Sequence, residues 1–472
     1  VNGVYRSMWT AGWSTTANTH QCFGIAAYNL ALDCMADDLI MQSQGNGWFW
    51  GDHCYNVKSN YTSSDFRSYD VWYANYKWIA NVNYIIDAEP EMAGTEADVA
   101  YVAGQAYAIR ALCYLNLATW FSRAPYNSLT GASRWNEPCV PVYTTGTSID
   151  TGGQPRESLR TVYGRIDQDI DRAIELLEKA RETTLAENNK SHINLYVALG
   201  IKSRACLAEG DWDGAFKAAK RVIDEGGYAV GTKSDLTGGM NSLDKQNVMW
   251  GAGIQVADQA GGYAGFFTHM DNKEGAYAKS APKLISKQLY NRISATDIRR
   301  DWWDPSDKES PYVSKKFSFA NVASFLGDYI YMRVEEMYFT AAEAALRLDD
   351  LKSARELMNT VMAERDPGYS ANNRSGTLLG ATTTTWTGSF LENILTHRRI
   401  ELWGEYGRLF DVRRLGQGID RRTDDGFSEE CISMMNRRNV NITKADTYDW
   451  VLTIPKAELD ANPNSNEEDQ NP

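Results

Sequence analysis

A short motif occurs twice, and each time it breaks a long helical pattern into a tight hairpin. In AEGDWDGA (208–215) and RLDDLKSA (347–354) the turn aspartate, the bulky first-turn residue and the alanine three positions on coincide. Leu195 to Ala208 and Trp212 to Glu225 flank the first turn, with Gly226 and Gly227 as the stop; Val334 to Leu348 and Leu351 to Arg365 flank the second, with Pro367 and Gly368 as the stop. Ala215 and Ala354 allow close approach of the paired helices. Hairpins of about 34 residues with small residues at their crossings cannot bury their faces alone and therefore stack. The expected fold is mainly α, a tetratricopeptide-type helical repeat array joined to a loop-rich, irregular region that holds ligand.

Two further stretches carry the helical period. From Gln105 to Phe121, Ala108, Leu112, Leu115 and Thr119 fall near one face with Tyr107, Ala111 and Tyr114 beside it, so this helix reads as buried on most sides. Val162, Ile166, Ile170, Ile174 and Leu177 recur at helical spacing, with alternating charges on the opposite, solvated face. The 472 residues are read as one unit, 1–472, with helical-repeat elements within 70–121, 158–227, 332–366 and 389–416 and irregular ligand-facing insertions at 42–69, 122–157 and 228–331.

Charge and cysteine usage narrow the function classes. The 48 Lys and Arg against 61 Asp and Glu leave a formal charge of −13, which repels polyphosphate, so nucleic acid is not an expected partner. The seven cysteines lack CxxC or Cys/His ligand spacing, which points to neither a zinc site nor a dense disulfide framework and leaves one or two bridges open; Cys113 and Cys206 lie on apolar helix faces and read as core. No apolar run of about 18 residues suggests a bilayer span. The chain starts at Val1, so a targeting segment or lipid anchor would precede it. No nucleophile elbow, phosphate-binding glycine loop or dinucleotide fingerprint occurs in context, the five histidines are scattered, and neither catalytic residues nor a cofactor or metal is expected.

The segment HRRIELWGEYGRLFDVRRLG (397–416) resembles the Arg-Arg-x-Glu-Leu helix and following Gly-x-Arg-x-Phe-Asp-x-Arg-Arg of the SusD/RagB family. GVYRSM at Gly3, RALCYLNLATWFSRAPY at Arg110, the hairpin from Met332 and IPKAELDANPN at Ile454 extend the resemblance over nearly the whole chain. It implies an array of four helix pairs and a Bacteroidetes lipoprotein on the extracellular face of the outer membrane. Such a protein binds an oligosaccharide or polysaccharide and serves a SusC-like TonB-dependent transporter. Family members carry a lipidated cysteine ahead of the GVYRSM-like stretch; Cys22 lies too far inside to be that residue, so the anchor is implied rather than present in this sequence.

Within the resembling segment, Arg398, Arg399, Glu401, Arg408, Asp411, Arg413 and Arg414 alternate in sign at helical spacing, which reads as architecture. A glycan site needs flat aromatic faces for the C–H side of a pyranose, with amides and carboxylates at the edge. Trp48, Phe49, Trp50 and Tyr55 in QSQGNGWFWGDHCYN offer such faces among Asn46, Asp52, His53 and Asn56. A second group is Tyr263, Phe266 and Phe267 in GGYAGFFTHMDNKEGAY, and a third is Trp302 and Trp303 in RRDWWDPSD. The resemblance adds Asp38 as an acidic residue near the first loop that touches sugar. The alternative to each ring cluster is a plug of loop onto body. Two other functions compete: a helical glycoside hydrolase, for which Asp37, Asp38, Asp52, Asp301 and Asp304 are candidate carboxylates, and a repeat scaffold that binds peptide or protein in its concave groove.

Overall fold

The computed structural model describes residues 1–13, 19–56, 66–183, 185, 189–255, 264–445 and 447–472, with Phe66 described in its backbone only. The helices that carry the architecture are α1 (Ile25–Met35), α2 (Trp50–His53), α3 (Phe66–Asp87), α4 (Glu96–Phe121), α5 (Leu159–Lys179), α6 (Leu195–Glu209), α7 (Trp212–Glu225), α8 (Val334–Arg347), α9 (Leu351–Ala363), α10 (Phe390–Glu401), α11 (Arg408–Leu415) and α12 (Glu429–Arg437). From α3 to α8 each packs on the next, and α8 also packs on α9 and α10. The fold is mainly α and of the tetratricopeptide-containing type, as the repeated hairpin predicts.

Local chemistry sets the helix starts. Thr95, Ser158, Asn194, Asp211, Asp350 and Ser389 each stand one residue before a helix and accept a backbone N–H of its first turn. In the two hairpins the correspondence is close. Asp211 accepts from Gly214 N at 3.0 Å and Asp350 from Ser353 N at 3.0 Å, while the preceding residues, Gly210 (φ 76°) and Asp349 (φ 62°), both turn through the left-handed region. Ala215 and Ala354 are fully buried at their crossings. Gly104 in α4 serves the same end, since a Cβ there would lie 2.9 Å from Leu177 of α5.

Strands interrupt the array. β1 (Leu39–Met41), β3 (Lys283–Ile285), β5 (Val313–Ser314) and β4 (Trp303–Asp304) form a sheet in that order with antiparallel neighbours, and β2 (Val248–Ala252) pairs antiparallel with β6 (Tyr329–Arg333). β6 runs directly into α8, so the 228–331 stretch is fastened to the array through a sheet.

A buried ionic network joins α10 and α11 to the rest. Glu401 accepts from Arg365 Nε (2.9 Å), Arg333 Nη1 (3.0 Å) and Arg299 Nη1 (3.1 Å), all four side chains being fully buried. Burial alone would raise its pKa, but Arg365 and Arg333 hold the carboxyl well below the ordinary range. Asp411 accepts from Arg398 and Arg414, and Arg414 also forks onto Glu343 of α8 at 2.9 and 2.7 Å. The arginine-rich segment is therefore an internal clamp between repeat units.

Candidate ligand-binding site

Helix α3 has two faces. Val71, Trp72, Asn75, Trp78, Ile79, Val82 and Asn83 are buried, whereas Tyr69, Tyr73, Tyr76, Ala80 and Tyr84 follow one another at spacings of three and four along the outer side. Tyr73 is 36% and Tyr84 55% exposed. Tyr69 and Tyr73 stack with ring centroids 5.2 Å apart and planes 16° off parallel, and Tyr76 meets Tyr143 edge-on at 5.9 Å. A stripe of phenols on an outer helix face is unlike a core stripe, because each ring presents an apolar surface while its hydroxyl reaches water or an acceptor at the rim.

A second wall is laid against this face by the chain from Pro141 to Thr151. Its course is set by buried polar groups. Arg110 of α4, held by Asp169 through a two-pronged pair (2.8 and 2.7 Å), donates to Thr144 O at 2.8 Å. Asn83 donates to Tyr143 O and Thr145 O, and Tyr76 OH donates to Pro141 O at 2.7 Å. Tyr84 OH donates to Thr147 O, and Gly146 N donates to Asp87 at 2.7 Å. The carbonyls of Pro141, Tyr143, Thr144, Thr145 and Thr147 thus each have a partner that also fixes the wall's distance from the helix. The third wall is the C-terminal segment carrying Pro455, Ala457 and Glu458. Asn462 ties that segment to Gln154 O at 2.8 Å, while Gln154 N donates to Tyr143 OH at 3.0 Å.

Between these walls lies an open cleft of about 450 Å³, in the size range of small-molecule sites. Tyr69, Trp72, Tyr73, Tyr76 and Tyr143 give it ring surfaces; Thr147, Ser148 and Thr151 contribute hydroxyls, and Lys77 and Glu458 a charge of each sign. Lys77 Nζ stands 4.9 Å from the Tyr73 centroid and 4.7 Å from that of Trp13, and donates to Trp13 O at 3.3 Å. Burial pushes the Tyr76 phenol well above its ordinary pKa and raises that of Tyr143, so both stay protonated at neutral pH. The arrangement suits a ligand with apolar faces and many hydroxyls. Among the described residues no group of three or more His, Cys, Asp or Glu side chains is placed to hold a metal ion.

The aromatic residues nominated from sequence sit elsewhere, and most are core. Phe49 is fully buried, edge-on to Phe23 and His269 with Arg67 over its face. Trp50 is buried against His53; Tyr55 is buried, with its hydroxyl on Met35 O and Arg421 over its ring. Phe266 and Phe267 pack edge-on to each other and around Tyr329. Trp302 donates from Nε1 to Leu236 O at 2.9 Å, and Trp303 is edge-on to Trp403. Burying each of these seven rings is worth about 2–3 kcal/mol, and none has a face available for a sugar. Asp38 is likewise corrected: it is buried, accepts from Arg399 (2.6 Å) and forms an ion pair with Arg408 (3.0 Å), so its oxygens are spent on the ionic network. Trp48 is half-buried, stacked on His20 at 4.8 Å and edge-on to Tyr277. Tyr263 lies outside the described residues.

The residues that do line a cleft were absent from the sequence candidates. Their signal was the tyrosine at 69, 73, 76 and 84, a spacing of four, three and eight that marks one face of a helix. Tyr143 falls inside the 122–157 insertion expected to face ligand.

Two sequence profiles match the chain: that of the SusD family over residues 275–472, and one described as starch-binding associating with outer membrane over residues 22–207. No protein of curated function matches in sequence. Among solved structures, a SusD-like carbohydrate binding protein from Bacteroides vulgatus is similar at TM-score 0.78 and 25% identity, covering 99% of this chain and 96% of that one. A SusD superfamily protein from Bacteroides thetaiotaomicron is similar at TM-score 0.78 and 22% identity, covering 100% and 98%. Surface glycan-binding protein A from Bacteroides thetaiotaomicron, in complex with laminarihexaose, is similar at TM-score 0.67 and 16% identity, covering 100% and 97%.

Proposed function

The chain belongs to the SusD family of glycan-binding proteins, and on that footing we propose that it captures oligosaccharide in the tyrosine cleft and passes it to a SusC-like TonB-dependent transporter. The observation that carries the cleft assignment is the run of phenol rings from Tyr69 to Tyr76 facing the hydroxyl-rich wall at 147–151. Pyranose rings stack on the former through their C–H faces, and the hydroxyls, Lys77 and Glu458 address the sugar's edge. At about 1 kcal/mol per stacking contact, affinity falls in the micromolar to millimolar range, which suits capture followed by release.

The family's association with the outer membrane supports a location at that membrane. No helix among the described residues is long and apolar enough to cross a membrane. Binding without hydrolysis is the favoured chemistry. Glycoside cleavage uses two carboxyl groups about 5 to 9.5 Å apart, and the described lining of the cleft carries one, Glu458.

Calorimetry with laminarihexaose, maltohexaose and a panel of host-type glycans tests the reading on wild type, Tyr69→Ala and Tyr73→Ala. Binding that weakens in both variants supports the cleft, and binding indifferent to both removes it. If no glycan binds, the sugar assignment fails. New reducing ends after long incubation would establish an enzyme instead. Co-purification from outer membranes tests the transporter: its absence from the complex would count against hand-off.

A further inference from the structure

Residues 49–55 turn sharply, and two of them that are not glycine, Phe49 (φ 61°) and Tyr55 (φ 55°), sit in the left-handed region. Such a backbone persists only when its surroundings hold it. The C-terminal part of the chain supplies the hold. Arg421 donates to Cys34 O, Ala36 O and His53 O, and Arg438 donates to Cys54 O at 2.8 Å. From α12, Cys431 donates its thiol to His53 O at 3.6 Å and accepts from Arg421 Nη1 at 3.8 Å, so its sulfur lies against the carbonyl that is peptide-bonded to Cys54. Both cysteines are fully buried.

We propose that Cys54 and Cys431 are a disulfide-forming pair, joined in the mature protein as a covalent tether between the α2 turn and α12. Once α12 is undocked, exchange begins with the thiolate of Cys431. It displaces one thiolate from a low-molecular-weight disulfide oxidant and forms a mixed disulfide. Cys54 then gives up its proton and attacks the Cys431 sulfur, expelling the second thiolate. The net change is one oxidant disulfide and two protein thiols converted to one protein disulfide and two free small thiols. Because both sulfurs are buried, the exchange takes place while α12 is undocked, during folding or local opening. A compartment outside the reducing cytosol, to which a protein associated with the outer membrane is delivered, keeps such a bond. The tether closes a very long loop and secures the strained turn that carries Phe49, Trp50 and Tyr55 into the core.

The test is a cysteine map of the full chain refolded with glutathione disulfide, then unfolded in guanidinium with iodoacetamide and no reductant. The expected result is a linked peptide pair containing Cys54 and Cys431, two hydrogens lighter than the sum of its reduced halves. Dithiothreitol should lower Tm by several degrees in the wild type, and Cys431→Ser should abolish that response. Alkylation of both Cys54 and Cys431 in the non-reduced sample overturns the proposal. If Cys431→Ser does not fold, the wild-type map alone decides.

Discussion

Two ring clusters in this molecule have almost the same composition and opposite fates. The segment around Trp48–Tyr55 is rich in Gly, Asn and aromatics and looks like a binding loop, yet Phe49, Trp50 and Tyr55 are buried. The outer face of α3 belongs to a helix that looks like core, yet Tyr69, Tyr73 and Tyr76 line a cleft. The difference lies in what approaches each. α1, the His269 ring and Arg421 close over the first cluster, whereas the wall at 141–151 is held off α3 by hydrogen bonds from Tyr76, Asn83 and Arg110. An aromatic ring becomes a binding surface when polar anchors keep the next element at a distance, whatever loop or helix it belongs to.

The sharpest contrast is with the ionic clamp. Glu401→Ala leaves Arg299, Arg333 and Arg365 buried around a missing charge, and should cost about 3–5 kcal/mol in guanidinium unfolding, enough that little folded protein is recovered. Trp50→Ala should cost about 3 kcal/mol or more by opening a cavity, with unchanged glycan affinity in the fraction that folds. A selective loss of affinity in that variant would make the first cluster a binding surface after all.

Acid provides a graded version of the same comparison. Burial would raise Asp411, but Arg398 and Arg414 bring its pKa down to about 2 from 3.8. A depressed carboxyl contributes its stability above the unfolded value and loses it as pH falls through the folded one. Urea midpoints followed from about pH 5 to about pH 2 should therefore drop most steeply below pH 4, by up to about 2 kcal/mol, and Asp411→Asn should flatten that drop. Tyr73→Ala should behave in the opposite way, weakening glycan binding by about 1 kcal/mol, roughly fivefold, while the unfolding midpoint stays within about 0.5 kcal/mol of wild type. The smallest expected effect is a null one. Because the Tyr76 and Tyr143 phenols are held protonated, affinity measured by calorimetry should not change between about pH 6 and about pH 9. A loss across that range would implicate another titrating group in the contact.

Much of the fold is readable in one dimension. The motif shared by 208–215 and 347–354 announces its hairpins, because an N-cap aspartate, a left-handed residue before it and a small crossing residue are local requirements. The arginine-rich segment also reads as architecture from its alternating charge. Its partners do not: Arg299, Arg333 and Asp38 lie 68 to 361 residues away from the residues they neutralise, and no local spacing points to them.

The site divides along the same line. A chain of this composition and periodicity determines by itself that helices form, where they begin, which hairpins stack, and that the surface is acidic, since each follows from contacts within a few residues or from summed charge. Which rings stay accessible is a property of the packed whole. Burial is decided by the elements that arrive from elsewhere: Arg421 and Phe427 closing over Tyr55 and His53, and Pro455–Glu458 completing the cleft against Tyr76. Apolar area is removed from water wherever geometry permits. Only the tertiary structure could separate the tyrosines of α3 from the tryptophans of the loops.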